Sequence, residues 1–143
     1  MIKLLITANL LITGFMTGLI WFVQVVHYPI FSKVPAEDFT RFHLAHTRLT
    51  GNVVALPMLA ELFLAFALLF FSLEGWQWAN WLAFGLVLFL WVITFFWFMP
   101  VHGRLSTGAN PEIIQKLVSV NWWRTFAWTF RLLLLTLLIW EVS

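Results

Sequence analysis

Four long apolar blocks and short polar connections alternate along the chain. The blocks cover residues 4–31, 49–73, 76–99 and 122–142. Each exceeds the roughly 20 residues that a helix needs to cross a hydrocarbon core about 30 Å thick. The pattern therefore predicts an all-α integral membrane protein, a four-helix bundle that forms one domain over residues 1–143.

Two of the connections carry the pattern of a short amphipathic helix. In the first, Pro35 precedes two acidic residues, and proline and acids both suit the first turn of a helix. In the third, Asn110 and Pro111 form a cap and a first turn ahead of apolar residues at helical spacing. We therefore expect short amphipathic helices in the first and third connections.

The composition supports a membrane environment and excludes several classes of function. Hydrophobic residues make up 62% of the chain and charged residues 10%, whereas soluble domains average about 25% charged. Because there is no cysteine, disulfides, thiolate metal sites and thiol nucleophiles are excluded. Basic residues are scattered singly and the net charge is only +2, so no nucleic-acid surface is expected.

Basic residues gather on one side of the predicted bundle. Lys3 lies on the other side, and short cytoplasmic loops are enriched in Lys and Arg. We therefore expect a protein of the bacterial inner membrane, with both termini outside and the first and third connections in the cytoplasm. The residues behind this orientation are Lys33, Arg41, Arg48, Arg104, Lys116 and Arg124.

Polar side chains in the fourth block share one helical face. Asn121, Arg124, Thr125, Trp128 and Arg131 recur at spacings of three and four. Arg131 lies roughly 15 Å into the block at 1.5 Å per residue, and an unpaired charge at such a depth costs at least about 2.5 kcal/mol. It needs a partner.

Glu61 is the acid expected at a similar depth, in the second block. We predict a contact between Glu61 and Arg131 or a polar cavity that both side chains share. A functional role for the pair, with Glu61 as a base or metal ligand, is one interpretation. The other is a structural pair that fixes the helix register.

All four histidines lie on the basic side of the bundle. His43 and His46 fall on the apolar face of the first connecting helix, while His27 and His102 lie near the ends of the first and third blocks. Neutral imidazole is a ligand for iron and copper. We predict that the four histidines, with Glu61, bind a non-haem metal; the alternative for each one is an ordinary hydrogen-bonded or interfacial residue.

A b-type haem is the second cofactor hypothesis. His27 and His102 come from different helices and could supply the two axial ligands, with Asn121 and Trp128 beside the cofactor. Tyr28 could donate a proton or a hydrogen bond at such a site. The high aromatic content would suit a macrocycle, although packing against lipid and core explains it equally well.

Several spaced motifs carry a resemblance to known membrane proteins. They are Gln24-x-x-His27-Tyr28-Pro29, His43-x-x-His46, Pro57-x-x-x-Glu61, Pro100-x-His102-x-x-Leu105 and Asn121-Trp122-x-Arg124-Thr125-x-x-Trp128-x-x-Arg131. Over most of its length the chain resembles a family of small, uncharacterised four-helix bacterial membrane proteins. In size, span number and the Arg-Thr-x-x-Trp element it is similar to the anthrone-oxygenase-like membrane proteins. The second resemblance implies oxygen-dependent oxidation of a lipophilic aromatic substrate.

The leading functional hypothesis is a metal- or haem-dependent membrane oxidoreductase. Tyr28 and Glu61 would act on a lipophilic or quinone-like substrate, and Arg124 and Arg131 would orient its anionic group. The alternative is a non-catalytic accessory subunit of a larger electron-transfer or pigment complex. Membrane lipid is an expected partner in both cases, and a homo-oligomer or a larger membrane complex remains open.

Overall fold

A computed structural model describes residues 1–71 and 74–142. This part of the chain is helical and contains no strand. Its four long helices are α1 (Ile2–Lys33), α2 (Ala36–Leu68), α3 (Gln77–Leu105) and α4 (Pro111–Glu141). The predicted all-α class and four-helix count are confirmed; the predicted end of the second block, at residues 72–73, lies outside the described residues.

Three of the four helices, α1, α2 and α3, are long and apolar enough to cross a membrane. The helix α4 has 31 residues but is not in that set. It contains Arg124 and Arg131, which lower its mean hydropathy. Large apolar side chains cover much of the outside of the bundle, among them Leu56, Phe63, Phe70 and Phe96.

The predicted short amphipathic helices are not separate elements, which corrects the expected fold. Each is the first part of a long helix, because α2 continues from Ala36 to Leu68 and α4 from Pro111 to Glu141 without a break. The start signals were placed correctly: the Asn110 side chain accepts from the Ile113 backbone N–H at 3.0 Å. Pro57 lies inside α2 without ending it, so in both cases the helix that begins in the connection continues into the apolar block.

One π-helical turn interrupts each of α1 and α3. The turns are Val23–His27 and Thr94–Phe98, and each ends two residues before a proline, Pro29 or Pro100. A proline inside a helix lacks a donor and its ring clashes with the carbonyl four residues earlier. A π turn accommodates that disturbance by adding one residue to the turn. It also rotates the following side chains relative to the regular helical pattern.

The helices form a ring in which each packs against two neighbours: α1 against α2 and α4, and α3 against α2 and α4. The core has two apolar parts. One surrounds Trp128 and Phe31, and the other surrounds Leu68 and Leu135. Polar side chains are buried close to both parts, and they form the sites described next.

Candidate functional site

Glu61 and Arg131 form a buried ion pair, as predicted. Arg131 Nη1 lies 2.8 Å from Glu61 Oε1, and the two side chains are 0% and 2% exposed. The second carboxylate oxygen accepts from Trp128 Nε1 at 3.0 Å. The predicted contact between α2 and α4 is therefore confirmed.

Other protein groups accept hydrogen bonds from the remaining N–H groups of Arg131. Nη1 also donates to Thr13 Oγ1, Nη2 donates to Asn9 Oδ1 at 2.7 Å, and Nε donates to the Ala83 carbonyl at 3.3 Å. The Thr13 hydroxyl in turn donates to Glu61 Oε1 at 2.7 Å. We call Glu61, Arg131, Asn9, Thr13 and Trp128 the Arg131 cluster. Its side chains come from α1, α2 and α4, while α3 contributes the Ala83 carbonyl, so each nitrogen of the guanidinium has an acceptor.

The four histidine rings converge at one end of the bundle. His27 Nε2 lies 2.7 Å from His46 Nδ1, and His43 Nε2 lies 3.0 Å from His102 Nδ1. The two pairs contact each other through the rings of His46 and His102, whose centroids are 5.6 Å apart. The predicted gathering of histidines is present, and the π turn at Val23–His27 ends at its first member.

The arrangement of these histidines gives no support to the metal prediction. Residues 1–71 and 74–142 contain no group of three or more His, Asp or Glu side chains placed to hold a metal ion. In each pair the ring nitrogens point at one another, as in imidazole–imidazole hydrogen bonds. Both Glu61 oxygens are engaged by the Arg131 cluster rather than by imidazole.

The haem hypothesis does not fit the positions of His27 and His102. The ring of His46 contacts both, with centroids 4.6 Å from His27 and 5.6 Å from His102. A macrocycle held between these two axial ligands would have to displace His46. The positions of these histidines therefore do not fit a haem.

Tyr28 continues the second histidine pair toward the interior. Its hydroxyl lies 3.1 Å from His102 Nε2, and the residue is 4% exposed. On the far side of the pair, His43 Nδ1 lies 3.5 Å from Ser106 Oγ, the longest contact of the series. Tyr28, His102, His43 and Ser106 thus form a chain that crosses from α1 through α3 and α2 to Ser106, the residue that follows α3; we call it the Tyr28 chain.

A cavity of about 620 Å³ opens between α2 and α3 beside this chain. Tyr28 of α1 and Arg124 of α4 reach it, as do His46 and His102. Most of the wall is apolar. Val54, Met58, Phe95 and Phe98 belong to it.

Three residues that line this cavity each carry a buried polar atom that has no hydrogen-bond partner among the residues that the structure describes. The atoms are Arg124 Nε, Trp91 Nε1 and Thr94 Oγ1. A buried polar group left without a partner costs about 1 to 3 kcal/mol, and such groups in native proteins are few. We call this space the Arg124 cavity, after the buried cation in its lining.

Arg124 itself is a buried cation of a different kind from Arg131. It is 8% exposed, and no carboxylate among the described residues lies within ion-pair distance of it. Its guanidinium carbon lies 4.5 Å from the centroid of the Phe98 ring and 5.2 Å from that of Trp128. Aromatic faces attract a cation only modestly, so the charge is left largely uncompensated.

Asn121 holds Arg124 in place. Its side-chain oxygen accepts from Arg124 Nη1 at 3.3 Å, and its amide donates to Gln24 Oε1 at 2.9 Å. The predicted cofactor residues Asn121 and Trp128 therefore lie behind the guanidinium as supports. Trp91 and Thr94 were not singled out from the sequence, although Thr94 is a hydroxyl residue inside an apolar block.

Comparison of the chain with family models, with curated proteins and with solved structures finds no match. The two resemblances drawn from the motifs stay predictions.

Proposed function

We propose that this protein is an integral membrane protein that binds a lipophilic small molecule with acceptor oxygens in the Arg124 cavity. The length and apolar character of α1, α2 and α3 support the membrane part of the proposal, as do the exposed aromatic and aliphatic side chains on the outside of the bundle. The orientation with the first and third connections in the cytoplasm belongs to the same proposal.

The observation that carries the proposal is that three residues with unpartnered donors line one apolar-walled cavity. Ligand pockets of roughly 300 to 1,000 Å³ combine apolar walls with a few polar groups that fix the orientation of the ligand. Here the polar groups are donors, and one of them is a cation. A quinone-like carbonyl or a carboxylate on a lipophilic body has the matching chemistry.

The rim of the cavity suggests how such a molecule enters. Leu59 of α2 and Phe95 and Met99 of α3 line the cavity and are also exposed on the outside of the bundle. In a bilayer these side chains would meet hydrocarbon. A lipophilic ligand would therefore pass between α2 and α3 from the membrane. Within the expected oxidoreductase, the cavity would be the substrate site.

Thermal unfolding of the detergent-purified protein tests the proposal. An alkyl naphthoquinone should raise the unfolding temperature with increasing concentration, because a ligand that binds only the folded state stabilises it. The matched alkyl naphthalene, which has no oxygens, should have little effect. Equal responses to the two compounds would contradict the assignment of the donors.

Matched variants locate the binding site. Trp91→Phe and Thr94→Val each remove one donor, so each should weaken quinone binding about fivefold, for a hydrogen bond of about 1 kcal/mol. Trp123→Phe and Thr136→Val make the same chemical changes at exposed positions and should leave the affinity unchanged. A protein that binds neither compound and purifies with a larger membrane complex would favour the accessory-subunit alternative.

A further inference from the structure

We infer that the Arg124 cavity takes a lipophilic phenol or enol and that the Tyr28 chain carries its hydroxyl proton out of the bundle. The inference rests on the proposed function, because it names the class of ligand and the first chemical step at the same cavity. It starts from the hydrogen-bond polarity of the chain.

Ser106 fixes that polarity. Its hydroxyl donates to the His102 carbonyl at 3.0 Å, so its oxygen is left to accept from His43 Nδ1–H. A neutral imidazole that donates from one nitrogen accepts at the other. His43 Nε2 therefore accepts from His102 Nδ1–H, and His102 Nε2 accepts from the Tyr28 hydroxyl. Each donor in the chain meets an acceptor, with tautomers assigned from the network.

This polarity moves protons from the buried Tyr28 toward the partly exposed Ser106. The O–H bond of a bound phenol breaks and its proton goes to Tyr28 Oη, while the Tyr28 proton passes to His102 Nε2. The His102 Nδ1 proton passes to His43 Nε2, the His43 Nδ1 proton passes to Ser106, and a Ser106 hydroxyl proton goes to water. Every protein group ends neutral, with both histidines in the opposite tautomer. The net change is one oxyanion in the cavity and one proton in solution.

The two ends of the Tyr28 chain lie where this transfer requires them. Tyr28 and Ser106 both line the cavity, but Tyr28 is buried, whereas Ser106 is partly exposed and lies two residues after the exposed Arg104. Arg124 lines the same cavity and has an unpartnered Nε donor. A cation without a carboxylate partner stabilises the oxyanion that the transfer leaves behind. A neutral ketone could accept a hydrogen bond from Arg124, but it has no hydroxyl proton to transfer to the Tyr28 chain.

A coloured phenol tests the first step. The probe is an alkyl-substituted 4-nitrophenol, used with the detergent-purified protein at a pH below the pKa of the free probe. The wild-type protein should bind it as the yellow phenolate and release one proton per bound probe into a weakly buffered solution that contains a pH indicator dye. The matched methyl ether has no proton to lose and should release none.

His43→Gln separates proton transfer from binding. His43 does not line the cavity, and an amide cannot relay a proton as an imidazole does. We expect an unchanged dissociation constant and final phenolate absorbance, with proton release slowed at least about tenfold. Ser106→Ala should slow release in the same direction. Ser119→Ala removes a comparable backbone-bonded hydroxyl outside the chain and should have no effect.

The outcomes distinguish the two proposals. If the wild-type protein binds the quinone and the nitrophenol, but the phenol stays neutral, the proton-transfer inference fails and the binding proposal stands. Wild-type release rates in both His43→Gln and Ser106→Ala would also overturn the inference. If neither compound binds, the proposed function fails as well. Should His43→Gln not fold, Ser106→Ala against Ser119→Ala decides the question.

Discussion

The helix α4 buries two arginines on one face, two turns apart, and the two environments are opposite. Arg131 has a carboxylate, a hydroxyl, a side-chain amide and a backbone carbonyl around it. Arg124 has the Asn121 side-chain oxygen, the neutral Tyr28 hydroxyl and two aromatic rings around it, with no carboxylate from residues 1–71 and 74–142. Burial is nearly the same for both, at 0% and 8% exposure. Burial alone therefore does not distinguish a structural charge from one that is free to bind a ligand.

The difference lies in which donors are already used. In the Arg131 cluster the removal of one partner would leave the others uncompensated, so a single substitution there should be strongly destabilising. At Arg124 a donor and much of the charge are unused, so the folded protein carries a cost that a ligand can offset. The environment of Arg131 suits a structural role in which the ion pair holds the helices together. The environment of Arg124 suits the binding of a ligand.

Removal of Arg131 should have the largest effect on stability. Arg131→Met leaves the Glu61 carboxylate buried beside Thr13 and Trp128 without its cation, and loss of one partner of a buried pair costs about 3 to 5 kcal/mol. We expect a drop of that size in the free energy of unfolding, measured by denaturant titration in detergent. Adding Glu61→Leu to Arg131→Met should restore part of the loss, because no unpaired charge remains.

Arg41→Met is the control for that experiment. Arg41 pairs with Asp38 at 2.8 Å, but the two side chains are 86% and 51% exposed, and such pairs contribute little. A loss at Arg131 no larger than the loss at Arg41 would contradict the structural role of the Arg131 cluster.

Arg124→Met should show the reverse pattern. It removes a buried cation that has no carboxylate partner among the described residues, so the free energy of unfolding should stay the same or rise. The affinity for the acceptor-bearing ligand should fall by about 2 kcal/mol or more, because a buried charge-assisted contact is lost. Both quantities come from unfolding curves recorded with and without the naphthoquinone. A large loss of stability with unchanged affinity would remove the contrast between the two arginines.

The periodicity of the sequence was sufficient to predict the Arg131 cluster in outline. Spacings of three and four placed the polar face on α4, and equal depth in two apolar blocks paired Glu61 with Arg131. The four histidines were likewise expected at one end, because His27 and His102 lie near that end of their blocks and His43 and His46 lie in the connection on the same side. These inferences need only the rise and the turn of a regular helix.

The Arg124 cavity could not be predicted in the same way. Which side chains of α3 face α2 depends on the π turn Thr94–Phe98, and one added residue rotates a helical face by about 100°. Whether a donor such as Thr94 finds a partner depends on how neighbouring helices pack. The same local reasoning placed the helix starts correctly and wrongly expected separate short helices, since a start says nothing about where a helix ends.

The smallest expected effect comes from narrowing the Arg124 cavity without touching its donors. Gly51 lines the cavity, and a Cβ added there meets nothing within 4 Å. Gly51→Leu should raise the free energy of unfolding by up to about 1 kcal/mol through helix propensity, while its side chain takes ligand space and lowers quinone affinity.

A matched substitution at Gly85 separates the gain in stability from the loss of quinone affinity that are expected for Gly51→Leu. Gly85 is a helical glycine with equally open surroundings, and it does not line the Arg124 cavity. Gly85→Leu should therefore give the gain in stability alone, and Gly51→Ala should give most of that gain while it keeps most of the affinity. If Gly51→Leu and Gly85→Leu bind the quinone equally well, the ligand does not occupy the space beside Arg124, and the unused donors there need another explanation.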